Sequence, residues 1–178
     1  MGERIIIIQG HPDGQARHFG HALADEYAKG CEDGGHAVRR IEVAMLEFPL
    51  LRTKEEFEKG QPPDSIRRAQ DAIRWADHLV ILYPLWLGSM PALLKAFLEQ
   101  VFRPGVAFEY QASGTMAKKR FTDKSARIVV TMGMPALAYR FMFGAHGVKG
   151  LEKSILGMGG IKPVRETLIG GVGALTPD

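Results

Sequence analysis

Cysteine is almost missing from this 178-residue chain, which has Cys31 and no other. No internal disulfide can staple the fold, and nothing points to an oxidising compartment. Long apolar runs are missing too: none approaches the ~20 residues that a helix needs to cross a bilayer. Residues 4–9 open a strand instead of the charged and apolar blocks of a signal peptide. A cytoplasmic chain without membrane insertion is therefore expected. Neither a G-x-G-x-x-G nor a Walker A pattern occurs, so there is no sign of a Rossmann or P-loop nucleotide module. Charge of one sign is not concentrated either. The net charge is +3 and the sequence pI is about 9.1. The basic residues sit in small groups (Arg39-Arg40, Arg67-Arg68, Lys118-Lys119-Arg120), the pattern of a solvated surface and not of a nucleic-acid track. His11, His18 and His21 complete no familiar ligand set, so no metal is expected.

What the chain does have is apolar content, 46% of its residues, enough for one full core in a single domain spanning residues 1–178. Ile5 to Ile8 form a continuous β-branched run of the kind buried on both faces of a parallel sheet. A helix expected from about Gln15 carries Phe19, Ala22, Leu23 and Tyr27 on one stripe. Residues 36–43 read as a charged edge strand. Residues 44–63 read as an irregular excursion with one short helix at 54–59. Asp64 or Ser65 is the expected cap of a helix carrying Ile66, Ala69, Ile73 and Ala76. Further strands are expected at 77–83, 126–132 and 162–169. Leu94, Phe97, Leu98, Val101 and Phe102 mark a strong helix after Pro91. Residues 106–124, around Gly114, suit a long loop or loose hairpin, and helical segments are expected through Tyr139 and at about 148–158. Alternating strands and helices predict an α/β fold: a doubly wound, five-stranded parallel sheet of flavodoxin-like order 2-1-3-4-5. Ligands bind such sheets beyond the strand carboxyl ends at the switch point, where the loops at 11–18, 84–90 and 132–135 converge.

The loop after the third strand organises the rest. Pro84 lacks an N–H and ends the ladder, and Leu85, Trp86 and Leu87 are large apolar groups placed to face outward, where a flat apolar partner suits them.

Taken together, His11-Pro12-Asp13 followed by Phe19 and His21-Ala22-Leu23, then Pro84-x-Trp86, Pro91-Ala92-Leu93-Leu94-Lys95, Gly105 and Tyr110, resemble the flavodoxin-fold NAD(P)H dehydrogenase (quinone) family over nearly the whole chain. The resemblance implies a flavin, FMN or FAD, at a homodimer interface. It implies two-electron, ping-pong hydride transfer from NAD(P)H to a quinone or other small acceptor, with the nicotinamide docking on the flavin face. Pro84, Leu85, Trp86, Leu87 and Gly88 would run past the flavin ring, where amides polarise its N5 and carbonyl oxygens. His11, Arg17, His18 and Phe19 would hold the phosphate side, aided by a helix N-terminus; His18-Phe19-Gly20 stands where the family has Ser-Phe-Asn. Thr131-Met132-Gly133-Met134 resembles the family's Thr-Thr-Gly-Gly loop past the pyrimidine edge. Tyr139, eight residues after Thr131, and His146 in Gly144-Ala145-His146-Gly147 match the family's catalytic pair; an imidazole suits proton exchange near neutral pH. Phe97, Phe102, Phe108, Phe141, Met142 and Phe143 are the aromatic and apolar surface expected to form the dimer contact. An ancillary flavin-binding subunit of a potassium efflux system is the alternative from another class. A plain electron-transfer flavodoxin ranks last, since those are acidic and this chain is basic.

Overall fold

The computed structural model describes residues 2–111 and 118–174. Strand β1 (Arg4–Gln9) leads through residues 10–18 to α1 (Phe19–Asp33) and β2 (Ala37–Glu42). Helices α2 (Lys54–Lys59) and α3 (Asp64–Trp75), strand β3 (His78–Pro84) and helix α4 (Ala92–Val101) follow. A two-stranded antiparallel hairpin, β4 (Phe108–Glu109) with β5 (Lys118–Lys119), precedes β6 (Ser125–Thr131). The chain then forms α5 (Ala136–Met142), α6 (His146–Gly150), a π-helical stretch (Leu151–Leu156), α7 (Gly157–Gly159) and β7 (Val164–Ile169).

The main sheet has five parallel strands in the order β2-β1-β3-β6-β7, as expected. Side chains alternate along each strand, so the run Ile5 to Ile8 serves both faces. Ile6 and Ile8 join Leu79, Ile81, Tyr83, Ile128 and Val130 in the core that α3 and α4 cover with Ile66, Ile73, Leu94 and Phe97. Ile5 and Ile7 join Val80, Leu82 and Val129 under Ala24 and Ala28 of α1. Each fully buried isoleucine stabilises the fold by roughly 1.5–3 kcal/mol. Strand β2 lies at the edge with three charged residues, Arg39, Arg40 and Glu42, exposed. At the other end of the sheet from the loops discussed below, the buried Lys124 amine donates to the carbonyls of Arg74 (2.9 Å) and Ala76 (2.5 Å) and closes the end of α3.

The structure corrects several expectations. Helix α1 starts at Phe19, not near Gln15, because the Asp13 carboxylate accepts the amides of Gln15 and Ala16 and holds the chain in a turn that competes with a helical start. Its buried face is accordingly Ala24 and Ala28 with Leu23 and Tyr27 beside them, while Phe19 and Ala22 are exposed. Neither Asp64 nor Ser65 caps α3: the cap position is Pro63, and the Ser65 hydroxyl donates to the Glu47 carbonyl. The region 148–158 is not one helix but α6, the π stretch and α7 in succession. The loose hairpin forms, and its Gly114 lies outside the described residues.

Candidate functional site

The loops after β1, β3 and β6 meet beyond the strand carboxyl ends. The first is fixed by Gln9, buried at the end of β1: its side-chain amide donates to the Gly20 carbonyl (2.6 Å) and its oxygen accepts the His11 amide (3.0 Å). A side chain at Gly10 would run into Leu94 at 2.6 Å, so a residue without Cβ is needed for the chain to leave the sheet there. His11 and His18 stack with ring centroids 3.9 Å apart, and His21 lies 5.3 Å from His11 and 5.7 Å from His18. His18 Nε2 is 2.8 Å from Asp13 Oδ2. The His18 side chain and then the amides of Gln15 and Ala16 hold the Asp13 carboxyl down at about 2. Burial, then repulsion from His18 and His21, pushes the His11 imidazole below its ordinary value. At the start of α1 the amides of Phe19 and Gly20 have no acceptor among the described residues. Arg17 does not join the cluster. Its guanidinium pairs with Asp25 (2.5 Å), which also holds Arg40 (2.6 Å).

The loop after β3 is a tight turn. Trp86 and Ser89 exchange backbone hydrogen bonds of 2.9 and 3.0 Å. Both residues between them have positive φ, Leu87 at 48° and Gly88 at 78°, the pattern of a type I′ turn. Leu87 is wholly exposed (107%) and Trp86 half exposed (51%). The amides of Leu87 and Gly88 have no acceptor among the described residues. Pro84 and Leu85 stay with the sheet: Pro84 pairs with Thr131, and the Leu85 amide donates to the Thr131 carbonyl (2.8 Å). The His11 and Trp86 rings meet edge to face at 6.5 Å, which joins the first loop to this one.

The third loop is tied to the end of β7, since Met132 donates to Ile169 and accepts from Val172, and the Met134 carbonyl accepts from Gly171. The Met132 side chain is buried in the core, so only the backbone of this residue is available to a ligand. Gly133 and Met134 are exposed at the loop's outer edge. Beyond it, Tyr139 is enclosed completely (0% exposed), and its hydroxyl donates to the Gly88 carbonyl at 3.0 Å. Burial raises the Tyr139 hydroxyl above its ordinary value, so it is a proton donor at neutral pH. His146 is exposed at the start of α6, after left-handed residues Gly144 (φ 61°) and Ala145 (φ 51°).

Between the turn and α6 lies an open cleft of about 640 Å³. Trp86, Leu87 and Met90 form one wall and His146, Leu151 and Ile155 another. Met90 is the last residue of the expected 84–90 loop, whereas Lys95 and the π stretch were not anticipated as site residues. Lys95 belonged to the Pro-Ala-x-x-Lys block and was the available signal; Leu151 and Ile155 carried none, because helical periodicity assigns them to packing. The donor set fits a flavin. Free amides at Leu87 and Gly88 suit the acceptor atoms along a ring edge, Trp86 and Leu87 supply apolar surface, and the imidazoles with the Phe19 and Gly20 amides suit a phosphate.

A family model described as the flavodoxin-like fold matches residues 3–178. An uncharacterized NAD(P)H oxidoreductase of Haemophilus influenzae is 27% identical over 138 residues, covering 76% of this chain and 67% of that one. An FMN-dependent NADH:quinone oxidoreductase of Macrococcus caseolyticus is 27% identical over 192 residues, covering 94% of this chain and 87% of its own. Among solved structures, the NAD(P)H:quinone oxidoreductase of Methanothermobacter marburgensis superposes with a TM-score of 0.76 at 22% identity, covering 99% of this chain and 89% of that one, a likeness of fold. Matched almost from end to end, and with the sheet order and converging loops of that architecture, this chain belongs to the flavodoxin-like fold family.

Proposed function

We propose that the chain is an FMN-dependent NAD(P)H:quinone oxidoreductase. The observation that carries this is the Trp86–Ser89 turn, which offers two free amides, Leu87 and Gly88, beside an exposed apolar surface at the switch point of the sheet. The oxidoreductase names of the relatives support turnover and not the potassium-efflux alternative. Bound FMN supplies two-electron hydride chemistry between a nicotinamide and a quinone. The chain's residues do the rest. The turn's amides hold the acceptor edge of the ring, Trp86 and Leu87 cover its apolar part, and His11 and His18 face the phosphate with the start of α1. Met90, Leu151 and Ile155 exclude water from the cleft in which a planar substrate stacks, and His146 on its rim gives or takes a proton at the imidazole. We read the whole chain as one domain working as a cytoplasmic homodimer, with a quinone or other small acceptor as second substrate.

The test is direct. Purified protein should carry or take up FMN in preference to FAD, and NADH or NADPH should bleach its yellow colour, which a soluble quinone then restores. His146→Gln should lower turnover by ~10²–10⁴ while FMN affinity is unchanged. Protein that is colourless and cannot be reconstituted with either flavin would refute the proposal.

A further inference from the structure

Among the described residues, two that are not glycine have left-handed backbone, Leu87 and Ala145, and they lie on two loops that touch each other. A Cβ on Gly147 would stand 2.4 Å from the Gly88 carbonyl oxygen, 2.8 Å from the Ser89 Cα and 3.2 Å from the Tyr139 hydroxyl. The start of α6 is thus pressed against the underside of the Trp86–Ser89 turn, and the Tyr139 hydroxyl reaches the same Gly88 carbonyl at 3.0 Å. Nothing about the Leu87 side chain explains its conformation, since it is wholly exposed and packs on nothing in its own chain. A β-branched or γ-branched residue without a local hydrogen bond disfavours this backbone region, and it persists only where the surroundings over-determine it.

We infer that Tyr139 and Gly147 form a latch beneath the turn, which makes Tyr139 a positioning residue: its hydroxyl fixes the Gly88 carbonyl downward, and with it the Ser89 amide of the same peptide unit that closes the turn on Trp86, so that the turn keeps its Leu87 and Gly88 amides free for the bound ring. The identity of that ring rests on the function proposed above, but the latch itself does not. Gly147 is glycine because any side chain would lift the turn off α6, and Leu87 is held left-handed by the hydroxyl and not by its own packing. The latch acts on the ring end of the ligand through Gly88, while the histidine cluster meets the turn at Trp86, so it affects flavins with and without a phosphate alike.

Two kinds of measurement test this. In flavin-free protein, hydrogen exchange at the Trp86 and Ser89 amides, which close the turn, should quicken by about fivefold in Tyr139→Phe, as the loss of one hydrogen bond implies, while exchange in β3 at Ile81 stays unchanged. In flavin-loaded protein, Tyr139→Phe should weaken FMN and riboflavin by the same factor of about five and shift the flavin's midpoint potential. Adding Leu87→Gly to Tyr139→Phe should slow the exchange of flavin-free protein most of the way back to wild type, because glycine adopts the left-handed turn unaided. Unchanged exchange in Tyr139→Phe overturns the latch whether or not a flavin binds. Affinity loss confined to FMN, or quickened exchange in flavin-free protein that Leu87→Gly does not relieve, overturns it as well by placing the role of Tyr139 elsewhere. Failure of the wild-type protein to bind either flavin, with the exchange effect present, would refute the ligand and leave the latch standing.

Discussion

At His11 the fold opposes protonation. Burial and two neighbouring imidazoles lower its pKa, and the other groups around the ring are Asp13 and Trp86. The unfolded chain therefore takes up a proton near pH ~6.5 that the folded chain refuses until lower pH. Its contribution to stability is present above that value and is lost as pH falls. His78, lowered by burial in β3, acts in the same direction. Asp13 adds a second stage: held at about 2, its carboxyl stabilises the fold above ~3.8 and loses that contribution as pH falls toward 2. Thermal melts should accordingly show Tm dropping between pH 7.5 and 5.5, and dropping less in His11→Asn than in wild type. An equal fall in both would place the pH dependence at other groups.

The closure at the end of α3 is the clearest case at the scale of elements. Lys124, at the start of β6, keeps two carbonyls satisfied, Arg74 and Ala76, in a place that water does not reach. Lys124→Met keeps the volume and removes the donors, so it should cost about 1–3 kcal/mol in urea unfolding while leaving FMN affinity intact. The sheet order and the faces of α3 and α4 were legible in the sequence because apolar spacing is written directly by burial on a repeating backbone: Ile66, Ala69 and Ile73 face the core as the period requires. The start of α1 was not, since Asp13 draws amides that a helical pattern would assign elsewhere. In the site, Trp86 and Leu87 were legible as apolar residues with no strand to fill. The inward turn of the Met132 side chain was not legible because a loop position says nothing of which way a side chain turns, and the bond from Tyr139 to Gly88 spans 51 positions and leaves no local trace.

For the molecule as a whole, the expected dimer surface divides. Phe97, Phe102 and Phe108 belong to the chain's own core, whereas Phe141 (78% exposed), Met142 and Phe143, joined by Leu137, which was not expected there, form an uncovered apolar patch on and after α5. A patch of this kind is what a self-complementary interface uses. Sedimentation at micromolar concentration should give a dimer, and Phe141→Glu with Met142→Glu a monomer that keeps its fold. A wild-type monomer would remove the homodimer from the proposed function. No helix among the described residues is long and apolar enough to cross a membrane. One residue carries a consequence for how such a chain evolves. Leu87 burdens the backbone and adds nothing to the core, so glycine or asparagine there would make an easier turn. A library screened only for soluble, folded protein should drift to those residues at position 87, and one screened for turnover should retain leucine. The two pressures, indistinguishable across most of the sheet, separate at this single side chain.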